Sequence, residues 1–127
     1  REVIASTPRF DSVPGKQKEY IEKFLNICDY ITDHCTEDLT LDEIASQAGF
    51  SKFHFSRLFK QFTNTTFYTF LNQKRVAYAE NLLIDPSLSI TEIAYRSGFN
   101  SSSSFSRTFK AVKTYTPPDF RQMYNEN

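Results

Sequence analysis

"LSITEIAYRSGFNSSSSFSRTFK" occupies Leu88–Lys110, and the four consecutive serines Ser101–Ser104 can be read in two ways. A serine run is commonly flexible linker. It is also dense in helix N-caps, because a serine hydroxyl can satisfy an orphan N–H of a first helical turn. A second stretch, Leu39–Lys60, "LTLDEIASQAGFSKFHFSRLFK", decides between them. With Asn100 taken as one inserted residue, 12 of the 22 aligned pairs are identical, against about one or two for unrelated segments of ordinary composition. The register continues beyond the window, with Thr66 and Phe70 falling on Thr116 and Phe120. The chain contains one unit twice. A period of about 50 residues present only twice is too short an array for a solenoid and fits two equivalent subdomains.

Each copy opens on a capping box, Thr40-x-x-Glu43 and Ser89-x-x-Glu92, in which an N-cap hydroxyl and a reciprocal carboxylate stand three apart. A short helix is predicted after each, over Leu41–Ala48 and Ile90–Ser97, with Ile44/Ala45 and Ile93/Ala94 as its apolar stripe. Gly49 and Gly98 can end these helices in the left-handed conformation of a C-cap, and Phe50 and Phe99 follow as core plugs. Ser51 and Ser101 then cap a second helix. Its inward face is Phe55, Leu58, Phe59 and Phe62 in the first copy, and Phe105, Thr108, Phe109 and Val112 in the second, at i, i+3, i+4, i+7. The opposite stripe repeats just as regularly, Phe53, Ser56, Arg57 and Lys60 matching Ser103, Ser106, Arg107 and Lys110. The serines therefore open a helix and line one end of its outer face.

A short helix, a tight turn containing glycine and a second helix with a basic outer face form the helix-turn-helix layout. Neither second helix, Ser51–Thr63 or Ser101–Lys113, contains an acidic residue. Net charge is zero over the 127 residues, but residues 1–50 hold five Lys/Arg against ten Asp/Glu and residues 51–127 hold ten against five. A basic C-terminal part is the footprint of an anionic partner, although a solvated surface produces such fields too.

Between the copies, Phe67–Ile84 lacks Gly and Pro and carries Phe67/Phe70/Leu71 and Ala77/Leu82/Leu83. One connecting helix is predicted, about 25 Å long at 1.5 Å per residue, ended by Asp85-Pro86-Ser87. Upstream, Gly15–Cys35 reads as an amphipathic helix with Tyr20, Phe24, Ile27 and Ile31 inward. Downstream, Thr116-Pro117 is an N-cap with proline at N1, opening a last helix to about Tyr124. The expected organisation is all-α, about seven helices: residues 1–14 as linker or the tail of an upstream domain, 15–66 as the first helix-turn-helix subdomain, 67–84 as the connecting helix and 85–127 as the second. The chain starts at Arg1, so it is expected to be a piece of a longer protein.

Other chemistries lack their parts. No apolar run approaches the ~20 residues that span a bilayer. Cys28 and Cys35, seven apart on one face of the expected helix, are too far apart for a mutual disulfide. With His34 they lack the paired spacing of a zinc site. Structural thiols and a reducing, cytoplasmic setting are expected. Two histidines, no glycine-rich phosphate loop and no paired carboxylates leave nothing to carry catalysis or hold a cofactor. Two readings remain: a double-stranded DNA binder, and a helical protein-interaction module that keeps the scaffold without binding DNA.

Over about residues 18–124 the sequence resembles the DNA-binding region of the AraC/XylS family of bacterial transcription regulators. The resemblance rests on the two copies, on "IAYRSGFNSSSSFSRTFK" and on the following "TPPDFR". It implies a sequence-specific regulator domain, commonly an activator, that places two second helices in adjacent major grooves. It also implies a separate signal-input domain, which would bind any ligand, and a possible contact with RNA polymerase. By position, base-edge contacts fall to Phe53, Ser56 and Arg57 in the first unit and to Ser102, Ser103, Ser106 and Arg107 in the second. Ser51, Lys52, Lys60, Ser101 and Lys110 are placed for phosphates, which fix register more than sequence. The family often has glycine where Asn64 and Thr114 stand. Asn64 tolerates the left-handed conformation, whereas Thr114 does so poorly.

Overall fold

A computed structural model describes residues 14–126, with side chains from Gln17 to Asn125. These residues form seven α-helices and no strands: α1 Pro14–Asp33, α2 Leu41–Gln47, α3 Lys52–Thr63, α4 Phe67–Leu83, α5 Ile90–Arg96, α6 Ser102–Lys113 and α7 Pro117–Glu126. The all-helical, seven-helix architecture is the one expected from the sequence. Contacts divide the chain into two compact units. One takes the chain to His34 together with Leu39–Leu71; the other takes Cys35–Asp38 together with the chain from Asn72 onward. The division falls within α4. Residues 1–13 of the expected upstream linker lie outside the described residues, and Pro14 opens α1.

In the first unit, α3 buries Phe55, Leu58, Phe59 and Phe62, as its spacing requires. Phe24 of α1 lies among their rings, with centroids 5.6 Å from Phe55, 6.4 Å from Phe59 and 5.7 Å from Phe62. Phe67 closes the cluster edge-on to Phe55 and Phe59. Large aromatic faces supply the buried area that a unit of this size otherwise lacks. In the second unit the core gathers Val76, Ala79 and Leu83 of α4, Ile93 and Ala94 of α5, Phe99, and Phe105 and Phe109 of α6. Tyr115 and Phe120 pack against it.

The two turns are built alike. Gly49 and Gly98 take φ of 83° and 97°. Phe50 N–H donates to Ala45 O, and Phe99 N–H to Ala94 O, while the glycine N–H groups donate to Ser46 O and Tyr95 O. That pair of bonds is the Schellman closure of a helix C-terminus. The next helix starts at once, with Ser51 Oγ accepting from His54 N–H and Ser101 Oγ accepting from Ser104 N–H. The opening serine run is thus helical from Ser102 onward.

Several local expectations are corrected. α1 ends at Asp33, so Cys35 lies beyond the helix; both thiols are buried and unbridged, and burial pushes the Cys35 thiol up from its ordinary range. On α4 the buried stripe is Leu71, Val76, Ala79 and Leu83, while Ala77 is exposed. Leu82 packs half-buried against the second core as expected, while Val76 and Ala79 take the inward place expected of Ala77. Val112 is 39% exposed, because Tyr115 and Phe120 already close the second core beside Phe109. Phe99 is buried, but Phe50 is only half-buried, seated between Tyr20, Phe24 and His54. Ala48 and Ser97 are C-caps and not helical residues. α7 runs two residues further than Tyr124.

The capping boxes also depart from the full pattern. Glu43 N–H and Glu92 N–H donate to their cap hydroxyls. The Glu43 carboxylate accepts from the Thr40 hydroxyl, however, and the Glu92 carboxylate pairs with Arg96 at 3.2 Å. Among the described residues, only Thr116 and Asp119 exchange both bonds.

Two arginines close the second unit from within. On α4, Arg75 Nε donates to Cys35 O at 2.6 Å and its Nη2 to Glu37 O at 2.8 Å. Its guanidinium also lies 5.9 Å from the Phe99 ring centroid. On α7, Arg121 donates to the carbonyls of Leu83, Asp85 and Leu88, binding the α4 terminus to the α5 entry. The Asp85 carboxyl caps the same turn by accepting from the Ser87 hydroxyl and N–H, which lowers its pKa.

These contacts make the two glycines unequal. A Cβ on Gly98 would sit 2.8 Å from Arg75 Nε and 3.0 Å from Cys35 O, whereas one on Gly49 meets nothing within 4 Å. Gly49→Ala is expected to cost about 1 kcal/mol, the left-handed penalty alone. Gly98→Ala is expected to cost at least twice that, as read by urea unfolding of both variants. At the end of α6, Thr114 holds φ 73°, a left-handed conformation that a β-branched residue adopts only with strain. Thr114→Gly relieves about 1–2 kcal/mol of that strain and adds about 0.5–1 kcal/mol of backbone entropy cost. Its urea midpoint should therefore rise, by the equivalent of roughly 0.5–1 kcal/mol.

Candidate nucleic-acid interface

The rotation of α3 about its axis follows from Phe55 and Phe59, both fully buried. At 100° per residue, Arg57 points about 180° from the midpoint of those two side chains. Arg57, Ser56, Lys60, Lys52, Phe53 and Ser51 are all exposed, so the six expected contact residues of the first unit stand in solvent on α3 and its N-cap. Phe53 is 79% exposed, an unusual position for a phenyl ring of a domain that buries so many others. Lys52 Nζ lies 5.7 Å from its centroid and 3.7 Å from the Asp42 carboxylate. The Asp42 pairing is exposed on both sides and weak.

The second unit repeats the register with less reach. Phe105 and Phe109 are fully buried and turn Arg107 outward in the same way. Arg107, Ser103 and Lys110 are exposed, but Ser101, Ser102 and Ser106 are half-buried. Ser101 spends its hydroxyl oxygen on the Ser104 N–H, as Ser51 does on the His54 N–H, so the difference lies in burial alone.

Electrostatics further separate the units. The positive excess of residues 51–127 overstates the charge offered on the reading face of α6. Arg75 and Arg121 are bound to backbone carbonyls, and Arg96 pairs with Glu92. Lys113, the last basic residue of α6, pairs with Glu80 at 3.0 Å. The hydrogen bond to that carboxylate raises the Lys113 pKa, so the pair persists at neutral pH with its charge offset. Arg107 and Lys110 are the α6 cations that remain outward.

Beside α3, a cleft of about 510 Å³ opens within the first unit. Leu41 and Phe67 give it apolar walls, Arg57 and Lys60 line it with cations, and Tyr68 is among the polar residues that share its lining. Tyr68, half exposed, accepts a hydrogen bond from Leu41 N–H at 3.3 Å. Tyr68 belongs to no repeated stripe or cap of the sequence pattern. The one available signal is the mismatch between copies, because the duplication register sets Tyr68 against Pro118.

Among the described residues no group of His, Cys, Asp and Glu could hold a metal ion, and no helix is long and apolar enough to cross a membrane.

Comparison with known proteins agrees with this architecture. A family model described as a helix-turn-helix domain matches residues 44–123. An uncharacterized HTH-type transcriptional regulator of Staphylococcus aureus strain COL is 39% identical over 100 residues, which are 79% of this chain and 13% of that protein. The regulatory protein PocR of Salmonella typhimurium is 37% identical over 98 residues, 77% of this chain and 32% of PocR. The chain thus spans a third or less of these relatives. Among solved structures, the DNA-binding domain of the global transcriptional factor AdpA, crystallised with a target DNA, aligns with a TM-score of 0.75 at 25% identity, covering 80% of this chain and 92% of that one. The C-terminal domain of AraT, a response regulator from Geobacillus stearothermophilus, aligns with a TM-score of 0.73 at 30% identity, covering 82% and 84%. With two helix-turn-helix units, basic outward helices and these relatives, the chain belongs to the AraC/XylS family as a DNA-binding domain of a transcription regulator.

Proposed function

We propose that the chain reads one DNA duplex with both α3 and α6, each entering one of two successive major grooves. The observation that carries this reading is the repeated outward arginine, Arg57 and Arg107, set opposite a buried phenylalanine pair on a helix free of acids. Arginine can hold guanine O6 and N7 with two parallel bonds, serine can meet most base edges, and a phenyl ring can contact a thymine methyl. Phe53, Ser56 and Arg57 read bases in the first unit; Ser102, Ser103, Ser106 and Arg107 do so in the second. Ser51, Lys52, Lys60, Ser101 and Lys110 hold phosphates and set the register.

The half-buried serines of α6 support a division of labour, in which the second unit positions the domain and reads shape or water-mediated contacts more than base edges. In the whole protein, a separate input domain binds any signal ligand. The DNA-bound regulator works in the cytoplasm, mainly as an activator, through contact with RNA polymerase.

Arg57→Ala is expected to weaken binding by about 1–3 kcal/mol and relax preference at the bases it contacts. Arg107→Ala is expected to weaken binding with a smaller change of preference, as read by titrating both variants against mutated half-sites. A larger loss of preference with Arg107→Ala contradicts the division of labour. Lys60→Ala should weaken binding alike on all sequences and reduce the log–log salt slope by about 1. Association with a protein partner that ignores salt, with no duplex shifted at low salt, would favour the interaction-module reading instead.

A further inference from the structure

The cleft beside α3 holds a group that the repeated pattern does not contain. Tyr68 stands on the first turn of α4, and its phenol oxygen accepts from Leu41 N–H at 3.3 Å. No other hydrogen-bond partner of that hydroxyl exists among the described residues. With its oxygen accepting, the hydroxyl proton is directed elsewhere, and the accepted bond polarises it toward a stronger donor. The side chain is 49% exposed and lines the same cleft as Arg57 and Lys60. A phenol donor, a guanidinium and an ammonium converging on a cleft with apolar walls match one chemistry: an anionic oxygen on an apolar carrier.

We propose that this cleft seats the sugar–phosphate strand bordering the groove read by α3, with Tyr68 Oη donating to a phosphate oxygen. The inference rests on the DNA-reading role of α3 and deepens it. Deoxyribose packs on Leu41 and Phe67, and the cations draw the strand in by charge complementarity. Leu41 N–H is already committed to Tyr68, so the phenol and not the short α2 terminus makes the contact. The second unit has Pro118 at this register and therefore lacks the contact, so the strand is held this way on one side only. Tyr68 acts as a positioning residue: it fixes where α3 enters the groove and carries no base preference.

The test uses the whole 127-residue chain, duplexes selected from a random pool and single methylphosphonate substitutions along both half-sites. Tyr68→Phe removes one hydroxyl. Affinity is expected to fall about tenfold, the size of one hydrogen bond to a charged oxygen, with the selected sequence and the salt slope unchanged. One methylphosphonate in the first half-site should weaken the wild-type chain and leave Tyr68→Phe indifferent; none in the second half-site should behave so. A thermal melt followed by circular dichroism should show Tyr68→Phe within a few degrees of wild type. If Tyr68→Phe binds like wild type, or if its loss adds to that of every methylphosphonate, the phosphate contact is wrong while DNA reading stands. If the wild-type chain retains no duplex at low salt, the DNA-reading role fails and takes this inference with it.

Discussion

In a helix of twelve residues, the side that faces the core decides which side is left to a partner. Phe55 and Phe59 in α3, and Phe105 and Phe109 in α6, are fully buried at a spacing of four. A helix that buries two rings one above the other cannot turn about its axis without exposing at least one of them. Burial of a phenyl ring stabilises by about 1.5–3 kcal/mol, so that rotation is strongly opposed. Arg57 and Arg107, midway between the two rings of each pair, are held outward as a consequence. The Schellman turns at Gly49 and Gly98 and the serine caps at Ser51 and Ser101 then fix where each helix begins. Core packing, helix phase and the presentation of a cation are one constraint expressed three times.

The duplication preserves this frame and lets the rest diverge. In the first unit the outer face of α3 is exposed at Phe53, Ser56, Arg57 and Lys60 and borders a cationic cleft. In the second, small hydroxyls are half withdrawn, and Lys113 is pinned to Glu80. Arg75 and Arg121 are spent as backbone clamps. The second unit therefore has much of its basic charge invested in its own fold. Gly98 shows the same investment: it leaves room for Arg75, a constraint that Gly49 does not share. Equal registers thus carry unequal faces, one exposed with a phenyl ring on it and the other with its hydroxyls half withdrawn.

The inward stripe of α3 was legible because Phe55, Leu58, Phe59 and Phe62 recur with helical period and bulk, and burial answers directly to that pattern. The caps and glycine turns were legible because they are local chemistry within four or five residues. Val112 was misplaced: its spacing fits the inward face, but the second core is already closed by Phe109, Tyr115 and Phe120. On α4 the pattern was weaker still, and the buried stripe of Val76 and Ala79 gave no strong periodic signal against Ala77 and Tyr78. The clamps of Arg75 and Arg121 were invisible, because their carbonyl partners lie 33 to 40 residues away. Nothing local distinguishes such an arginine from one that meets phosphate. Tyr68 was hidden for a related reason, since a single hydroxyl at the start of a helix has no periodicity to betray it.

Whether the repeated frame serves one duplex is decided most directly by the spacing of what it selects. From a pool of random duplexes, the chain should enrich sequences with two sub-sites at one fixed separation, about 10 to 10.5 base pairs between centres, one turn of B-DNA. Enrichment of a single short site, or of two sub-sites whose separation varies freely, would contradict the reading of one duplex by both α3 and α6.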